Sequence, residues 1–169
     1  YKNRKSGLSL LELLIVLAVL SIVATILVGG FAIIIKGRGA TEARTAVNGE
    51  LRFAFQKMEQ DIRAAAALVT PGVPLGTSAS TLVVTIGGAN VTYDVSLGRL
   101  RRTVGAGTPE YITASSTRIG TPTFTRLENY NTALNATTTS IIVSVPALYN
   151  SSSTDWQYAE TKQATMSLR

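Results

Sequence analysis

One apolar run near the N-terminus constrains this chain more than any other feature. Residues 8–35 read LSLLELLIVLAVLSIVATILVGGFAIII, with Glu12 as the one charge, and Lys36 ends the run. As an α-helix these 28 residues would extend about 42 Å. A bilayer's hydrocarbon core needs about 20 apolar residues, so the run can span one. Lys2, Arg4 and Lys5 precede it, then the small pair Ser6-Gly7. Basic flanks stay on the cytoplasmic side, so the N-terminus should face inward and the remainder should be exported.

Glu12 sets this run apart from a plain anchor. An acid in a spanning helix costs about 2.5–3.5 kcal/mol at mid-membrane and marks function by default. A secretory signal would have a shorter apolar core, with its small-residue cut on the far side. Here the well-placed small residue, Gly7, lies on the near, basic side.

The order KSG and then LSLLELLIVLAVL resembles the prepilin signal of type IV pilins and type II secretion pseudopilins. The resemblance implies cleavage between Gly7 and Leu8 by a prepilin peptidase on the cytoplasmic face, followed by N-methylation of Leu8. It also implies that Glu12 pairs with the Leu8 amine of a neighbouring subunit during assembly. Leu8 stands where phenylalanine is usual in that family, and Ser9 where threonine is usual. Residues 1–7 are read as the remnant of a basic leader. A mature chain that kept them would have no free amine at Leu8, and Glu12 would need another cation such as Lys5 or Arg4.

Composition narrows the chemistry. The 169 residues include no cysteine and no histidine, which removes disulfides and metal sites built on nitrogen or sulfur ligands. Nothing calls for a cofactor. The net charge is +6, and cleavage after Gly7 would leave 13 basic residues against 10 acidic. No GxSxG elbow, phosphate loop or dinucleotide fingerprint appears, and no catalytic set is expected.

Beyond Ile35 charges enter, but the helical period persists. Val47, Leu51, Phe55, Met58, Ile62, Ala65 and Val69 form one apolar stripe. Lys57–Asp61 and Glu59–Arg63 are spaced as exposed i,i+4 pairs. Pro71-Gly72 should stop the helix, which is therefore read from Leu8 to Val69. Gly29-Gly30 is its expected flexible point. From Gly72 onward Ser, Thr and Gly dominate and the period becomes two. Residues 81–86, 91–95, 99–104, 121–127 and 140–148 read as strands, the last of them ended by Pro146 or soon after, and 156–168 as a returning strand. Residues 87–90 and 96–98 read as tight turns, and 129–139 as a surface loop. The fold class is α+β: a long N-terminal α-helix, apolar and then amphipathic, packed on a C-terminal antiparallel β-sheet head. The expected segments are a leader remnant (1–7), a transmembrane and filament-core helix (8–35), an amphipathic helix (36–70) and a β-rich head (71–169).

The head carries a weaker resemblance. FAFQKMEQDIRAA, then VTYDVSLGRLRRTV, then a terminal SLR is similar to J-type minor pseudopilins and W-type minor pilins. Those share a helix ending in an acid–Ile/Leu–Arg step, a Tyr-containing strand, a turn and a Leu-Arg-Arg strand.

Other features have bland and sharp readings. Arg99, Arg101 and Arg102 read as a solvated face or subunit contact in preference to a DNA patch. Asn90, Asn135 and Asn150 fit the N-glycosylation pattern, though chance explains three matches in so Ser- and Thr-rich a chain. Glu59, Asp61 and Asp94 read as ion-pair partners and not as a calcium site. Phe124, Trp156 and Tyr158 read as core or interface. The expected function is a structural subunit of a type IV pilus or pilus-like filament. It would wait in the inner membrane and then assemble outside it. Its partners would be copies of itself or homologous pilins, the peptidase, an inner-membrane assembly platform and, before assembly, lipid. A minor pseudopilin of a type II secretion system, or an anchored binding module that never polymerises, is the alternative.

Overall fold

The computed structural model describes residues 10–72, 76–133 and 135–168. One helix, α1 (Leu10–Ala64), precedes a set of short strands. In chain order these are β1 (Ala67–Thr70), β2 (Ser78–Ala79), β3 (Leu82–Ile86), β4 (Ala89–Ser96), β5 (Arg99–Val104), β6 (Glu110–Tyr111), β7 (Thr117–Ile119), β8 (Thr123–Asn131), β9 (Ala136–Tyr149) and β10 (Ala159–Ser167). This is the expected α+β layout of a long helix packed on antiparallel sheet. The chain divides into two compact units, one reaching to Gly39 and the other starting at Ala40.

In the second unit the apolar stripe of α1 does what its spacing requires. Ala43, Val47, Leu51, Ala54, Phe55, Met58 and Ile62 are all buried, while Arg52, Phe53 and Gln56 on other faces are exposed. Burying each large aliphatic side chain favours folding by about 1.5–3 kcal/mol. The partners are Leu82, Val84, Val91, Tyr93 and Leu100 from one sheet and Phe124, Ile141, Val143 and Val145 from the other.

The first sheet has the order β1-β3-β4-β5-β6 and is antiparallel throughout. Two-residue turns set its register. Gly87-Gly88 closes β3 onto β4, and Leu97-Gly98 closes β4 onto β5. All four residues have positive φ, the geometry of type I′ hairpin turns, whose twist matches that of the strands. The second sheet has the order β10-β9-β8-β2, with β7 pairing β9 beyond the end of β8.

Two expectations are corrected. The helix ends at Ala64, not Val69. Ala66 donates its N–H to Thr85 O at 2.8 Å, and residues from Ala67 on pair with β3. A sheet edge that needed a partner overrode the helix propensity of the alanine run. Val69, placed on the stripe by its spacing, is 46% exposed. The segment 129–139 is no loop: β8 continues to Asn131 and β9 begins at Ala136, paired residue by residue. Its threonines suit a strand, and the ribbon is mostly exposed on both faces, so it shows no apolar alternation to read. The end of β9 at Tyr149 falls soon after Pro146, as expected, and Pro146 itself pairs with Thr161 of β10. Its carbonyl accepts from Gly120 N–H at 2.8 Å, so its missing N–H faces the gap between β7 and β8, and no ladder bond is lost.

Candidate functional site

Two regions carry the residues singled out by the sequence. The first is the N-terminal part of α1. Every described residue from Leu10 to Arg38 is exposed. The large apolar side chains up to Ile35 range from 48% exposed at Val23 to 81% at Leu10. Among the described residues α1 is the one helix long and apolar enough to cross a membrane. Its two hydroxyl residues are spent internally: Ser21 Oγ donates to Leu17 O at 2.5 Å and Thr25 Oγ1 to Ser21 O at 2.8 Å. The surface left to the surroundings is therefore apolar except at Glu12, in the first described turn. Gly7 and Leu8 lie outside the described residues. Helix α1 runs unbroken through Gly29 and Gly30, and a Cβ built on either would meet nothing within 4 Å.

The second region joins α1 to the first sheet. Asp61 lies beside Ile62 on the buried face and is itself 6% exposed. Its Oδ2 accepts from Tyr93 Oη at 2.6 Å and from Arg102 Nε at 2.6 Å. Burial pushes the Tyr93 phenol far above its ordinary range, and its bond to Asp61 pushes it further. The same carboxylate raises the pKa of Arg102, against the effect of burial. Asp61 is thus a buried partner for β4 and β5 and not the exposed partner of Lys57 that its i,i+4 spacing suggested. Glu59–Arg63 does form, at 2.5 Å.

The arginines of β5 separate by face. Arg102 points to Asp61, and Arg101 makes a forked pair with Asp94 at 2.5 and 2.7 Å. Arg99 lies over the Tyr111 ring at 4.3 Å and donates from Nε to Thr113 O at 2.8 Å. Phe124 is buried, Tyr158 is packed against the core, and Trp156 stacks on Tyr149.

The three asparagines are exposed and apart from one another in the chain. Asn90 accepts from Thr85 Oγ1, Asn135 accepts from the Tyr130 hydroxyl, and the Asn150 amide donates to Ser115 O at 3.0 Å. A further tether escaped the sequence reading: Glu50 Oε2 accepts the Ala114 N–H at 3.0 Å, fixing a loop of the head to α1. Its position one residue before the buried Leu51 was the available signal.

Residues 2–28 match the family model of the prokaryotic N-terminal methylation motif. No curated protein and no solved structure matches the chain. The chain therefore carries a type IV pilin-like prepilin signal. The motif characterises structural proteins, and together with the apolar helix it fits a membrane-anchored precursor.

Proposed function

We propose that this protein is a structural subunit of a type IV pilus or pilus-like filament. The observation that carries the reading is Glu12: an acid in the first described turn of a helix whose apolar residues up to Ile35 are all exposed, inside the matched motif. The precursor waits in the inner membrane by this helix with its head outside. Cleavage after Gly7 frees the Leu8 amine, which is then methylated. Helices leave lipid and pack side by side, and Glu12 of one subunit meets the amine of another. Two charges are then satisfied together in an apolar medium, where either alone would be costly. The Gly29-Gly30 step supplies a point where the packed helix can stretch, since two glycines lower the cost of leaving the helical conformation. In this reading the chain performs no catalysis.

The test is Glu12→Ala in cells, followed by imaging of filaments and fractionation of membranes. Insertion should be unchanged and filaments absent. Normal filament yield from this variant would sink the reading.

One observation favours the minor-subunit alternative. The pieces that resemble J-type pseudopilins and W-type minor pilins include Asp61 at the end of the helix, Tyr93 and the Leu100-Arg101-Arg102 strand, and Asp61, Tyr93 and Arg102 form one cluster. Their spacing in sequence is thereby tied to a single packing unit. Deleting the gene discriminates: loss of a major subunit removes the fibre, whereas loss of a minor one lowers the number of fibres.

A further inference from the structure

The β4–β5 turn stands beside a cleft of about 260 Å³ lined by Gly98, Arg99, Ser115, Thr117, Arg118 and Asn150. Arg118 lies against the turn: a Cβ on Gly98 would come within 3.0 Å of Arg118 Cγ. Glycine at this position, with φ of +68°, lets the arginine lie flat on the backbone.

Two observations make this cleft unlike the rest of the head. First, its two arginines are not neutralised. Arg63, Arg101, Arg102 and Arg126 each hold a carboxylate, but among the described residues neither Arg99 nor Arg118 meets one. The nearby Asp94 is committed through both oxygens to Arg101. Second, Arg99 is held in place from behind, by Tyr111 beneath its guanidinium and by its Nε bond to Thr113 O. Its terminal nitrogens remain for another acceptor.

We infer that this cleft binds a phosphate group, free or carried on a lipid headgroup. Guanidinium groups match the geometry of tetrahedral oxyanions and make charge-assisted bonds to them. The two arginines would supply the charge, and the Ser115 hydroxyl would supply a further donor. The inference stands on the head alone and does not depend on filament assembly.

The test uses the full-length, isotope-labelled protein in a non-ionic detergent, titrated with inorganic phosphate at constant ionic strength, with chloride as the control. The Nε–H signals of Arg99 and Arg118 and the Gly98 amide are followed by NMR. Saturable shifts with phosphate and not with chloride are expected. Arg118→Gln should weaken binding about tenfold, as the loss of one charge-assisted bond requires. Arg99→Gln should weaken it by a similar factor. The same signals in phosphatidylcholine nanodiscs, with and without phosphatidic acid, identify the source. A response to phosphatidic acid that Arg118→Gln removes assigns the site to lipid. A response to phosphate alone assigns it to the free ion. No saturable shift with either probe, or full affinity in both variants, overturns the site.

Discussion

Asp61 on α1 grips Arg102 on β5, its Oδ2 lying 2.6 Å from the guanidinium Nε across 41 residues of sequence. The Tyr93 hydroxyl closes on the same oxygen. One carboxylate therefore fixes where the helix lies on the first sheet. Replacing it strands a partly buried cation and a buried phenol together. Asp61→Ala should cost about 3 kcal/mol, in the range for breaking a buried pair from one side. Urea unfolding of the full chain in detergent checks this, read through the fluorescence of Trp156, the single tryptophan.

The same cluster predicts a response to alkali. The Tyr93 phenol is held protonated far above the ordinary tyrosine value of 10.0, whereas in the unfolded chain it ionises near that value. Its contribution is therefore fully present below pH 10 and is lost progressively as pH rises toward the folded-state value. The slope approaches about 1.4 kcal/mol per pH unit for one proton. Unfolding curves of the wild type and Tyr93→Phe at a series of alkaline pH values should converge, because the variant lacks this proton. Parallel curves would show that Tyr93 is not responsible.

Leu97 is 90% exposed and sits at φ of 53°. Left-handed backbone costs a residue with a Cβ about 1–2 kcal/mol, and an exposed leucine recovers little of it through packing. Asparagine tolerates this conformation far better. Leu97→Asn should raise stability by about 1 kcal/mol in the same unfolding assay.

Glu50 offers a finer measurement. Its carboxylate accepts a backbone N–H from the loop before β7. Glu50→Ala should lose about 1.5 kcal/mol, as expected for a hydrogen bond to a charged group. Glu50→Gln, which keeps an acceptor, should lose less than half as much. Amide hydrogen exchange at Ala114 should speed up in the first variant and change little in the second.

What was legible in the sequence follows from which interactions are local. The stripe from Val47 to Ile62 obeys one period and needed no knowledge of its partners. Gly87-Gly88 announced its turn because few other residues fit two positive φ angles. Leu97-Gly98 carried only half of that signal. The end of α1 was misplaced because the alanines at 64–67 favour helix locally, and only the distant edge of β3 reverses the choice. Asp61 looked exposed because a charge on a helix usually is, and its partners lie far along the chain. The methylation motif was the most legible feature, since its meaning depends on order and spacing within a few residues. The phosphate cleft gave no sequence signal, because its lining residues come from three separate segments.

The hydrophobic core joins the two ends of the head. Val47 to Ile62 open it, and Ile141 to Met166 complete it. Lys162 of the last strand reaches over the Phe55 ring, and Arg44 reaches toward that of Tyr158. These pairings close loops of roughly a hundred residues, whose entropic cost falls before any contact offsets it. Timing is the consequence. Until β10 is available, the apolar face of the helix has only its nearer strands to lie against. The head becomes cooperative only when β10 arrives, so its core closes in one late step.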